Sequence, residues 1–407
     1  MKFSKLSQLF LVSSIVLLVA SLLTSCEIVT IDYLFVASSS GSGTASTGQI
    51  QTYDVDSESG AIRTGQASVA SGGSNPVSMT VTTDFANLYV ANQGNNSVAH
   101  FAVAGNGVLT QKDAITTATP PVAIATNSAH TDLFVISGTT SATLTAYSLS
   151  SGAIGSAVAT VPLTLGSVSA AFAGDTIIPT GVNVLANGGA VYVTAYDQSA
   201  YNPGGTVSSI ANPGWVFGFT IGSGGTLTPA SGSPWEAGIK PTALASDPTN
   251  RFVYVTDFAS NDLIGYTIQS GSVLNFMVNG PFKTGNEPSA ISIDPRGLYI
   301  YVSNALDSTV TAYVITLSTG TPSAAINTTG NSINSTDTQP EAILVDPALG
   351  RFVYTANRLG NSVSGFRLDA TTGTIKPTLS TPYPTGDAPT ALASVPHGNH
   401  STQSVTP

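Results

Sequence analysis

Glu341, Arg358 and Lys240 are the residues of this sequence that could do chemistry together. A carboxylate that takes a proton from water, beside cations that steady an oxyanion, is the minimum apparatus for attacking an activated carbonyl. Lys240 precedes a proline, as Glu287 does, and Glu341 follows one. Charge is scarce, at 8% of residues, so ionisable groups in one repeated context stand out. Solvated loop charges that only keep the chain soluble would read the same way. The rest of the reactive inventory is thin. His100 lies beside a strand aromatic, His130 lies in a turn, and His397 and His400 lie in a polar tail. Cys26 is the single cysteine, and no Gly-x-Ser-x-Gly elbow occurs. "DVDSE" (54–58) has the spacing of a calcium loop but lacks the later Glu. No metal site and no cofactor are expected.

The elements that position these residues repeat. A proline opens an apolar strand at Pro76, Pro121, Pro179, Pro241, Pro288, Pro340 and Pro389, at intervals of 45, 58, 62, 47, 52 and 49 residues. An aromatic-Val strand follows, with its aromatic 13 or 14 residues on, at Tyr89, Phe134, Tyr192, Tyr254, Tyr301 and Tyr354. A third strand carries another aromatic before a glycine turn, at Gly60, Gly107, Gly152, Gly225, Gly271, Gly320 and Gly373. Asp-Pro at 247, 294 and 346 suits a type I turn between the first two strands. The last proline begins a unit that stops, and "YLFVASSS" (33–40) begins one in its middle. Joined, the two halves give seven units. The expectation is an all-β, seven-bladed β-propeller with four antiparallel strands (A to D) per blade, closed by strands from both termini. Blades are numbered here from the Pro76 strand. The propeller is expected over 33–396, with a polar tail at 397–407.

The first 25 residues read as a leader. Lys2 and Lys5 precede the apolar "LFLVSSIVLLVASLL", and "LTSC" (23–26) follows. That pattern resembles the bacterial lipoprotein signal, which implies cleavage before Cys26, a lipid on Cys26 and a short linker to residue 32. The protein is therefore expected to be exported and lipid-anchored at the cell envelope, on the periplasmic side or the outer surface. The net charge of −10 becomes −12 without Lys2 and Lys5, and no basic cluster opposes it, so nucleic acid is not an expected partner.

"PTALASDPTNRFVYVTDFASNDLIGY" and its copies resemble the lactonase family of seven-bladed propellers, which includes the 6-phosphogluconolactonases. The resemblance implies the propeller fold and hydrolysis of a sugar lactone at the channel mouth, where basic residues and a carboxylate converge. A frequent family form is Arg-His directly after the strand-A proline. Here those pairs are Val77–Ser78, Val122–Ala123, Thr180–Gly181, Thr242–Ala243, Ser289–Ala290, Glu341–Ala342 and Thr390–Ala391. With no Arg-His present, Glu341 and Arg358 are the expected catalytic pair, with Lys240 binding an anionic group.

Two further sets could meet a ligand at that mouth. Three residues after each strand-B aromatic stands a mostly polar ring, including Asn92, Asp257, Asn304 and Asn357. Such residues cap their own turns, and exposed at the mouth they would also offer donors and acceptors. Blade three carries long connections at 164–178 and 195–215, with Tyr196, Tyr201 and Trp215 as flat rings for a sugar or peptide. Two functions follow as expectations. One is a binding module at the envelope, with the blade-three loops as its surface for a glycan or an envelope protein. The other is a hydrolase of sugar lactones.

Overall fold

The computed structural model describes residues 29–39, 47–201, 213–323, 326 and 334–398. The strands within them form seven antiparallel sheets, each with a path of four strands, and four of the sheets carry a further two-residue strand. In blade six, strand A is Pro340–Val345, B is Phe352–Asn357, C is Ser362–Leu368 and D is Ile375–Pro377. The closing blade takes strand A, Pro389–Pro396, from the C-terminal end, and B to D, Thr30–Ser38, Gln49–Asp56 and Ile62–Thr64, from the N-terminal end. Phe35 stands opposite Ala393 at that seam. The ring is thus closed by main-chain hydrogen bonds, which removes two open sheet edges.

Strand B is apolar on both sides because a blade faces a blade on each side of it. All six residues of Phe352–Asn357 are buried. The core lies between neighbouring blades. Tyr301, Val310 and Ala312 of blade five pack against Ile343, Val353 and Phe366 of blade six.

The aromatic and glycine signals of the repeat are two ends of one contact. The Tyr89 hydroxyl donates to the Gly152 carbonyl at 2.6 Å, Tyr254 to Gly320 at 2.5 Å, and Tyr301 to Gly373 at 2.8 Å. Each bond runs from strand B of one blade to the C–D turn of the next. Tyr354 donates to Gly60 at 2.8 Å, which carries the clasp across the seam. The glycines hold positive φ, as at Gly373 with φ 74°. A side chain at Gly373 would also strike the Tyr299 ring, 2.3 Å from an ideal Cβ. The Asp-Pro turns close as expected: Asp294 Oδ1 accepts from the N–H groups of Leu298 and Tyr299 at 2.7 and 2.9 Å.

One buried carboxyl at the seam is poorly served. Asp32 is 2% exposed and its Oδ1 has no hydrogen-bond partner among the described residues. Burial, then the nearby Asp346 charge, push its pKa up to about 8, against the pull of Arg351. The unfolded chain releases this proton near 3.8, whereas the folded chain keeps it to about 8. Stability therefore falls by up to about 1.4 kcal/mol per pH unit as pH rises between those values. Asp32→Asn should remove that loss. In urea titrations the variant should match the wild type at the acid end and gain on it steadily up to pH 8. A difference that does not change with pH would contradict the assignment.

Candidate functional site

The site is set by a bulge that recurs in every blade. Pairing between strands A and B slips once, directly after the proline: Pro340 stands opposite Asn357, but Ala342 stands opposite Ala356. The same slip follows Pro76, Pro121, Pro179, Pro241 and Pro288, and occurs in the closing blade at Pro389. The extra residue is therefore Val77, Val122, Thr180, Thr242, Ser289, Glu341 and Thr390 in turn. Released from the ladder, all seven line one central cavity of about 630 Å³.

Most of these side chains serve the ring itself. The Thr242 hydroxyl donates to the Pro288 carbonyl of the next blade at 2.8 Å, Ser289 to Pro340 at 2.6 Å, and Thr390 to Pro76 at 2.6 Å. Thr180 bonds Thr194 at 3.0 Å. Val77 and Val122 fill the lumen with methyl groups. Glu341 is the only ionisable member. In the register of Thr242 and Ser289 its partner would be the Pro389 carbonyl, to which an ionised carboxylate cannot donate.

Arg358 lines the same cavity, with a guanidinium nitrogen 4.0 Å from a Glu341 carboxylate oxygen. Burial raises the Glu341 pKa above its ordinary 4.5, Arg358 opposes the shift, Glu287 adds to it and Lys240 opposes it. Three charged groups from blades four to six thus act on one carboxylate. Lys240 Nζ lies 4.5 Å from the Phe258 ring centre, 5.6 Å from Tyr201 and 5.8 Å from Tyr196. Tyr196 and Tyr201 meet edge to face at 5.3 Å.

Other expected ligand residues lie elsewhere. Asn92, Asp257, Asn304 and Asn357 are fully buried. Asp257 accepts from the N–H groups of Ile239 and Lys240 at 2.7 and 2.8 Å. Asn92 bonds Ser71, Asn304 bonds Gly285 and Thr311, and Asn357 bonds Ser362 and Ser364. These side chains lock turns and do not face the lumen. Trp215 is also no lid: it is 7% exposed and packs with Leu163, Leu165 and Phe217. Strand C takes it because an aromatic there fills the space between blades. Part of the blade-three loop, 202–212, lies outside the described residues.

The mouth residues stand one place beyond the buried polar ring. Gln93, after Asn92, and Arg358, after Asn357, line the cavity; Tyr196, after Ala195, and Phe258, after Asp257, hold the same register beside the Lys240 ammonium. Phe258 was not expected from the sequence. The signal was present, since it occupies the register of Arg358.

The fold defines the class, a seven-bladed β-propeller. Residues 228–400 match the family described as Lactonase, 7-bladed beta-propeller. Among solved structures, a putative 6-phosphogluconolactonase from Bacteroides fragilis is similar at 18% identity and TM-score 0.70, covering 90% of this chain and 98% of its own. The periplasmic gluconolactonase of Pseudomonas aeruginosa is similar at 17% identity and TM-score 0.72, covering 90% and 99%. Hydrazine synthase of Kuenenia stuttgartiensis is also similar, at 16% identity and TM-score 0.56, covering 82% and 94%. Such distant likenesses speak to the fold, which carries more than one chemistry. No curated protein matches the sequence.

The ring of hydroxyls makes a prediction about Glu341. Glu341→Thr should restore a donor towards the Pro389 carbonyl and raise stability by roughly 0.5–1.5 kcal/mol in urea denaturation. Thr242→Val, which strips the Pro288 carbonyl of its donor, should lower it by about 1–3 kcal/mol. A destabilised Glu341→Thr would mean that the carboxylate is part of the architecture.

Proposed function

We propose that the channel mouth binds and hydrolyses a sugar lactone, with Glu341 as general base. The observation that carries this reading is the placement of Glu341. It occupies a lumen position where neighbouring blades keep a structural hydroxyl, it is half-buried, and it faces a cation. The cavity holds a monosaccharide with room to spare. Ionised Glu341 takes a proton from water as the water oxygen bonds to the lactone carbonyl carbon. The developing oxyanion is stabilised by the Arg358 guanidinium. As the ring C–O bond breaks, the same proton passes to the leaving oxygen, and a hydroxy acid is released. The lactonase match over 228–400 supports this chemistry.

A second reading is a binding module without turnover. It is favoured by the ring surfaces of Tyr196, Tyr201 and Phe258 around Lys240, which suit stacking of a sugar. Either role fits export and a lipid on Cys26, which we carry forward as part of the proposal. Strand B of the closing blade runs from Thr30, at the face opposite the mouth, to Ser38, beside Pro389. An anchor at Cys26 would therefore turn the mouth away from the membrane.

Hydrolysis of gluconolactone by the purified protein tests the first reading. Glu341→Gln should lower kcat/KM by about 10²–10⁴-fold. Because the base must be ionised, the wild-type rate should rise with pH through a midpoint above 4.5, displaced upward as burial dictates. Activity that survives Glu341→Gln would refute this site, and no activity at all would favour the binding module.

A further inference from the structure

The residue before each strand-A proline stands two places before the strand-A residue that lines the cavity. In blade one it is Asn75, which lines the cavity. In blades four, five and six it is Lys240, Glu287 and Gln339. Four members of this register hold a left-handed backbone: Asn75 at φ 50°, Glu287 at 53°, Gln339 at 58° and Ala388 at 48°. Asparagine suits that conformation far better than glutamate does. The backbone therefore gives no reason for a glutamate in blade five. Its position is nonetheless fixed on both sides. The Glu287 N–H donates to Asn261 Oδ1 at 2.8 Å, and its carbonyl accepts from the Ala305 N–H at 2.8 Å.

The carboxylate has no ion-pair partner among the described residues. Its charge nevertheless acts on both Glu341 and Tyr201. The two cations there, Lys240 and Arg358, are balanced by Glu287 and Glu341, and Arg358 is turned towards Glu341. A phosphate dianion entering this mouth would meet no net positive charge, and the chain around it carries −10 overall. Specificity by repulsion needs a like charge held where the wrong ligand must pass.

We propose that Glu287 is a charge filter at the channel mouth, which admits uncharged sugar lactones and turns away phosphorylated ones. The naming of lactones rests on the hydrolase reading above; the filter itself rests on the geometry of this register.

The test compares gluconolactone with phosphogluconolactone on the wild type, Glu287→Gln and Glu287→Asn. The Asn variant suits the left-handed backbone and guards against a folding defect. The wild type should favour the neutral lactone in kcat/KM by about 100-fold or more, and the gap should narrow as salt rises. At a pH well above the Glu341 midpoint, where the base is ionised in every variant, both substitutions should raise the rate on the phosphorylated lactone by about tenfold and leave the neutral one within about twofold. Equal rates on the wild type, or a variant that moves both substrates alike, would overturn the filter and leave the hydrolase reading standing. If neither lactone is hydrolysed, that reading falls, and calorimetry with neutral glucose and with glucose 6-phosphate decides the filter. It stands if the wild type binds glucose alone and Glu287→Asn binds both. It falls if the wild type binds both alike or neither.

Discussion

The bulge after each strand-A proline is the constraint on which the rest of the channel depends. In each blade two residues of strand A face one of strand B, and the extra residue turns into the lumen. Repeated seven times, that slip makes a ring of side chains at one depth. At Thr242, Ser289 and Thr390 the hydroxyl reaches the carbonyl of the next blade's proline, so this part of the channel lining is also a belt that ties blades together. Glu341 gains its burial, its neighbour Arg358 and its raised pKa from the same slip. The geometry of the candidate site is therefore a property of the blade repeat, and its chemistry is a property of one substitution within it.

That division explains why architecture and function separate cleanly in this chain. A second belt, of tyrosine hydroxyls on glycine carbonyls, runs between strand B and the next C–D turn and has no place for a ligand. Val77, Val122 and Glu341 depart from the hydroxyl belt, and of these Glu341 alone brings a charge into the lumen. Glu287 brings a charge to a left-handed position that other blades fill with Asn75, Gln339 and Ala388. Both lie in neighbouring blades, and their charges act on one another.

The blade repeat was legible in the sequence because its signals are local and obligatory. A glycine with positive φ, an Asp-Pro turn and a doubly buried strand each leave a fixed residue type at a fixed spacing. The pairing of termini was legible for the same reason, as two halves of one unit. The site was legible only in part. Glu341, Arg358, Lys240 and Glu287 could be named because charge is rare. The burial of the polar ring at Asn92, Asp257, Asn304 and Asn357 was not legible, since a strand-end Asn looks alike whether it caps a turn or faces solvent. One further residue along, Phe258 and Arg358 reach the mouth, and nothing in composition separates those neighbouring positions. Trp215 misled for another reason: an aromatic beside a long loop reads as exposed, whereas its strand continues inward and buries it.

The measurement that tests the central claim most directly is a crystal structure of the protein with gluconate, the hydroxy acid that lactone opening would release. The account predicts gluconate in the central cavity, with a carboxylate oxygen near the Arg358 guanidinium and Glu341 within hydrogen-bonding distance of the ligand. An empty cavity in crystals that hold gluconate only on the blade-three loops would contradict it, and would leave Glu341 as a charge without a substrate.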